Sequence, residues 1–244
     1  MDKKLKIKTR DATIYGKLRG SIEKPLVIIV HGLPCNMDEY FYKSAAIWFS
    51  QHGFSSFRFN LYDWQKNARQ LIDCSLDTHA SDLDSVVRYF RKKGVKKIFV
   101  TGHSYGGPTI LLSKKQDFDA VALWDPSYRI SFIQEKYGAP AGVYLKQVKG
   151  YFMQWGVDVV LGEKMAKEVD TLEWDQLTSR FTPPIHILAA GKGILMKGAK
   201  SYFKTANEPK KLTIIDDATH YFDDKDGMQE EVFRASKEWF ERYI

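Results

Sequence analysis

Ile98-Phe99-Val100-Thr101-Gly102-His103-Ser104-Tyr105-Gly106-Gly107 is an apolar run that ends abruptly in a serine framed by glycines. Ile98 to Thr101 suit a buried strand, and Thr109-Ile110-Leu111-Leu112 suit the start of a helix. A strand feeding a sharp turn, with a helix beginning near Tyr105, would hold Ser104 at the apex with its hydroxyl projecting from the carboxyl edge of a sheet. Gly102 and Gly106 leave room on both sides for the tight backbone. Pro108 is compatible with such a helix, because an N–H in the first turn has no intrahelical partner to lose.

The pattern is Gly-x-Ser-x-Gly in a strand–turn–helix setting. On these residues the chain resembles the α/β-hydrolase superfamily, specifically its serine esterases and lipases, in which this turn is the nucleophile elbow. The resemblance implies an α/β fold with a mostly parallel central sheet flanked by helices. A second feature supports it. Leu26-Val27-Ile28-Ile29-Val30 is continuously apolar and β-branched, as a parallel strand covered on both faces should be, and it runs directly into His31-Gly32-Leu33-Pro34.

A chain of 244 residues with 44% hydrophobic content can bury one large core. The net charge of +7 is spread along the chain in Lys-Lys pairs, which predicts solvated faces. No basic tract interleaves with aromatics as nucleic-acid binding would require. Two cysteines, Cys35 and Cys74, are too few for a disulfide-stapled secreted scaffold, so free thiols in a reducing compartment are expected. The N-terminal residues lack the apolar core of a signal peptide, and no run of about 18 apolar residues offers a membrane span. A cytoplasmic protein is the expectation.

Residues 3–20 alternate as two short strands around Asp11-Ala12, predicting an edge hairpin. Residues 37–52 form a helix ending at Gly53, and Cys35 before it is expected as a small buried thiol. Residues 55–60 form the next strand. Ser81-x-x-Asp84 resembles a capping-box start for a helix that Gly94 stops, and His79 just before it is expected at a cap or on the surface. Ala120-Val121-Ala122-Leu123 is a short parallel strand that delivers Asp125 in Leu-Trp-Asp-Pro-Ser. Further strands are expected at 185–190 and 212–215, with a closing helix over 228–243. His186 reads as a core or sheet-edge histidine.

Residues 128–181 differ in character. Their aromatics, among them Phe132, Tyr137, Tyr144, Tyr151 and Trp155, are interrupted by glycines such as Gly138 and Gly150, which predicts several short helices with apolar faces. In the resembling family an insertion between strands six and seven forms a cap over the active site. The expected division is therefore a core of 1–127 and 182–244, with a helical cap over 128–181 inserted after strand six.

A serine hydroxyl needs a base to remove its proton, and histidine suits that task because its reference pKa lies near 6.5. The resemblance places the base after the last strand, where His220 lies, and the oxyanion donors at the main-chain N–H groups of Leu33 and Tyr105. Losing one such donor typically costs about 2.7 to 4 kcal/mol. The third member commonly follows strand seven, yet Ala190-Gly191-Lys192-Gly193-Ile194-Leu195 contains no carboxylate. A minority of relatives carry the acid after strand six, which points to Asp125 and preserves the order Ser, acid, His. Asp216 and Asp217 are the alternatives. The reading is a serine hydrolase needing no metal or cofactor, acting on a small-molecule ester through an acyl-enzyme on Ser104. Thioesters or amides suit the same constellation, and a non-catalytic ligand-binding protein is the contrasting class.

Overall fold

The computed structural model describes residues 1–136 and 140–244. Tyr137 and Gly138 lie outside the described residues.

The sheet is built from β1 (Lys3–Lys8), β2 (Thr13–Arg19), β3 (Leu26–Val30), β4 (Ser55–Phe59), β5 (Ile98–His103), β6 (Ala120–Trp124), β10 (Ile185–Ala190) and β11 (Lys210–Ile215). Their order is β1-β2-β4-β3-β5-β6-β10-β11. The expected hairpin is present: β1 and β2 pair antiparallel, β2 pairs antiparallel with β4, and every later pairing is parallel. Exposed Lys3, Lys4 and Lys8 line the outer strand, and such charges oppose further strand addition at an open edge.

Successive side chains of β3 go to opposite faces, and each face has its own core. Leu26, Ile28 and Val30 join Phe57, Phe59, Val100 and the apolar stripe of α2 (Leu76–Lys92). Val27 and Ile29 join Phe99 and Trp124 under α1 (Tyr40–Gln51) and α6 (Met228–Phe240). Burial on both faces is why the strand sequence shows no polar alternation. Each fully buried aliphatic side chain contributes roughly 1.5–3 kcal/mol.

α2 starts earlier than Ser81-x-x-Asp84 predicts. Its N-cap is Ser75, whose hydroxyl accepts the Thr78 N–H while the Thr78 side chain accepts the Ser75 N–H. Thr78 does here what a glutamate or glutamine usually does in a capping box. His79 is therefore inside the helix rather than before it. It is fully buried against Tyr62 and Tyr105, not on the surface.

The described part of segment 128–181 is not built from short helices alone. It contains a three-stranded antiparallel sheet of β7 (Val143–Leu145), β8 (Gly150–Gln154) and β9 (Asp158–Gly162), followed by α4 (Glu163–Thr171). The apolar runs there are only a few residues long, and at that length helical and strand periodicity cannot be told apart. Two close approaches seat it on the core. The Glu168 carboxylate accepts the N–H groups of Leu76 and Asp77 at the positive end of α2. A Cβ on Gly162 would stand 1.9 Å from the carbonyl oxygen of Ile72, so only glycine fits there.

Candidate active site

The carboxyl ends of β3, β5, β6 and β11 converge at one edge of the sheet, where open α/β sheets place their ligands. β5 ends in the serine turn. Ser104 has φ of 54°, a left-handed conformation costing an L-residue roughly 1–2 kcal/mol. The turn continues into α3 (Gly106–Leu111), with Tyr105 at its N-cap position. Its glycines are required by contact: a Cβ on Gly102 would stand 2.7 Å from the Gly106 carbonyl oxygen, and one on Gly106 would stand 2.6 Å from that of Val30.

β6 pairs with β5 so that His103 faces Trp124, which brings the next residues, Ser104 and Asp125, to neighbouring strand ends. Asp125 is also left-handed, at φ 40°, and fully buried. Its Oδ2 lies 2.6 Å from His220 Nδ1, and its Oδ1 accepts the Ala190 N–H at 3.2 Å. The carboxylate thereby selects the His220 tautomer with hydrogen on Nδ1, leaving Nε2 as the basic nitrogen. Asp216 and Asp217 do not join this group. Both are exposed, and Asp217 pairs with Lys192 and Lys225.

The loop after β3 is fixed from several sides. His31 donates from Nδ1 to the Gly32 carbonyl at 2.6 Å and accepts the Leu61 N–H on Nε2 at 3.0 Å. Burial holds this imidazole neutral, with its pKa lowered to about 4. The Gly32 N–H donates to Tyr42 Oη, and Tyr62 Oη donates to the Cys35 carbonyl. Cys35 is buried as expected, and burial raises its thiol pKa. Among the described residues, the N–H groups of Leu33 and Tyr105 donate to no backbone carbonyl.

Leu33, Ser104, Tyr105 and His220 share the lining of a cavity of about 330 Å³. Its remaining walls are mainly apolar. Ile130, Phe132 and Trp155 come from the inserted segment, and Ile194 and Leu195 from the loop between β10 and α5 (Met196–Thr205). A hollow of similar size between α1 and α6, about 360 Å³, borders neither Ser104 nor His220. Among the described residues no group of three or more His, Cys, Asp or Glu side chains could hold a metal ion, and no helix is long and apolar enough to cross a membrane.

Sequence reasoning missed His103 and Tyr42. His103 Nε2 donates to the His220 carbonyl at 2.8 Å, and Tyr42 Oη, 2.9 Å away, donates to His103 Nδ1. Burial places the His103 pKa well below its ordinary value, so the ring is a fixed neutral link between the loop after β3 and the loop carrying His220. Position 103 is a wildcard in the serine pattern, so no local signal marks it. Ser127 is the other omission: its Oγ lies 3.3 Å from Ser104 Oγ.

No protein-family model matches the chain, and no curated protein matches it in sequence. Solved structures do match. Est1E from Butyrivibrio proteoclasticus with ferulic acid bound superposes with a TM-score of 0.82 at 20% identity, covering 98% of this chain and 99% of that one. The α/β hydrolase GrgF from Penicillium sp. sh18 matches at 0.79 and 15% identity over 100% and 99% of the two chains. The esterase domain of a Rhodothermus marinus protein matches at 0.74 and 14% identity, again over 100% and 99%. The chain has the α/β-hydrolase fold.

Proposed function

We propose that this protein is a serine hydrolase that cleaves carboxylic esters through an acyl-enzyme on Ser104. The observation that carries the reading is the 2.6 Å bond between His220 Nδ1 and buried Asp125, with His220 sharing the lining of one cavity with Ser104. In acylation, Ser104 Oγ bonds to the ester carbonyl carbon while its proton passes to His220 Nε2. Asp125 stabilises the resulting imidazolium without taking the proton itself. The carbonyl electron pair moves onto oxygen, where the Leu33 and Tyr105 N–H groups receive it. The tetrahedral species collapses, the alcohol leaves with the proton from His220, and water repeats the sequence to release the acid and free Ser104.

The walls favour an apolar or aromatic acyl or alcohol group. Ferulic acid bound to Est1E supports an aromatic acid in particular. Residues 128–181 act as a cap, contributing Ile130, Phe132 and Trp155 to the cavity. The unpaired buried thiols of Cys35 and Cys74 support a cytoplasmic setting. A fluorophosphonate probe tests the assignment. The native protein should acquire one adduct, located on Ser104, and Ser104→Ala none. A folded native protein that stays unlabelled would point instead to ligand binding without turnover. A panel of aryl esters of graded acyl length then ranks the substrates.

A further inference from the structure

Ser127, two residues beyond Asp125, is 4% exposed, and its Oγ lies 3.3 Å from Ser104 Oγ. The backbone around it is held independently of that hydroxyl. Its N–H donates to the Ser104 carbonyl at 3.0 Å, and its own carbonyl accepts Tyr202 Oη at 2.8 Å. Pro126 between the two residues occupies the space beside Gly107, where a Cβ would stand 2.5 Å from the proline ring. The turn that delivers the acid is thus pressed onto the serine turn, and it carries a second hydroxyl to the first.

The contact can run in either direction in the resting protein, and the direction that serves chemistry is the one with Ser127 as donor. Among the described residues Ser127 Oγ has no side-chain hydrogen-bond partner other than Ser104 Oγ. Both hydroxyls border the cavity, so a Ser127 proton not used on Ser104 has open space beside it, and the 3.3 Å contact by itself fits either donor. When Ser127 donates, its proton rests on Ser104 Oγ and the Ser104 proton is left free for a base, while the His220 ring in the same cavity is oriented through Nδ1 by Asp125.

We propose that Ser127 is a further catalytic residue that donates a hydrogen bond to Ser104 Oγ and stabilises that oxygen when it leaves the acyl group during deacylation. The inference rests on the acyl-enzyme reading above. In that step water adds to the acyl carbon and gives a proton to His220. The tetrahedral species then collapses, the bond from carbon to Ser104 Oγ breaks, and the departing oxygen takes its electron pair and the proton from His220. Ser127 transfers no proton. It lowers the cost of charge on the leaving oxygen, as an oriented donor does at a site of developing charge.

The test is pre-steady-state hydrolysis of 4-nitrophenyl acetate by the native protein, Ser127→Ala and Ser127→Thr. Native protein should release a burst of 4-nitrophenol followed by steady turnover, and single-turnover decay of the acyl-enzyme gives its deacylation rate. Ser127→Ala should show a full burst followed by deacylation slowed about tenfold, with an unchanged melting temperature. Ser127→Thr, which keeps the hydroxyl, should restore most of the rate. Deacylation by Ser127→Ala within about twofold of native overturns the proposal while leaving the acyl-enzyme intact. A slow alanine variant that threonine does not restore, with a lowered melting temperature in both, overturns it in favour of a packing role. A native protein that neither hydrolyses the ester nor reacts with fluorophosphonate removes the acyl-enzyme reading, and this inference with it.

Discussion

β6 and β10 lie side by side and parallel, with Leu188 opposite Trp124, yet their ends do different work. β6 ends in a left-handed Asp125 whose N–H donates to the Leu188 carbonyl at 2.7 Å, tucking the carboxylate under His220. β10 ends in a loop without a carboxylate, and its contribution is the Ala190 N–H offered to Asp125. The empty Cβ position of Gly193 lies 3.2 Å from Asp125 Oδ2, so this loop covers the Asp125 carboxylate rather than supplying one of its own. The lesson is that neighbouring strand ends divide the work: the end of β6 brings the carboxylate to the imidazole, and the end of β10 supplies an N–H that holds it there. A buried carboxylate also needs its partners far more than an exposed one does. Asp125 has two directed bonds in a dry setting, whereas Asp217 sits between lysines in solvent, where ion pairs contribute little.

The largest effect is expected at the end of β6. Asp125→Asn keeps the shape but donates toward Nδ1 instead of accepting from it, favouring the wrong tautomer, and kcat for an aryl ester should fall by about 10⁴. A loss under about tenfold would show that the end of β6 does not orient the base. The middles of the two strands differ as well. β6 carries no titratable side chain, whereas β10 buries His186, with Nε2 2.8 Å from Thr213 Oγ1 and burial lowering its pKa to about 3. Above the unfolded value near 6.5 this histidine is neutral in both states and its contribution to stability is complete. As pH falls from there toward 3, only the unfolded chain takes up the proton, and stability drops by up to about 1.4 kcal/mol per pH unit. Urea unfolding at several pH values should therefore show a shallower acid slope in His186→Gln than in native protein, and equal slopes would contradict the assignment. The smallest effect belongs to Asp217→Asn, for which kcat should stay within about twofold of native because its charge is solvated and paired elsewhere.

Most of what positions the site could be read from the chain because it obeys strong local constraints. β3 declares itself by five apolar residues, since both of its faces are buried. The serine turn declares itself by Gly102 and Gly106, since no Cβ fits at either. Asp125 emerged through the absence of any carboxylate after β10. Other features depend on contacts distant in sequence. The small sheet of β7, β8 and β9 is assembled from runs too short to carry a clear period. His79 is buried by an N-terminal extension of α2 that only the Ser75–Thr78 pair signals. The chain from Gly32 through Tyr42 and His103 to His220 joins residues up to 188 positions apart, as the numbering of its ends shows, and no motif spans that distance.

The bond that carries the proposed function can be observed directly by proton NMR. The His220 Nδ1–H held by Asp125 should give a strongly downfield resonance that survives in Asp217→Asn and disappears in Asp125→Asn. Loss of that resonance in Asp217→Asn, or its persistence in Asp125→Asn, would contradict the assignment of the orienting acid to the end of β6.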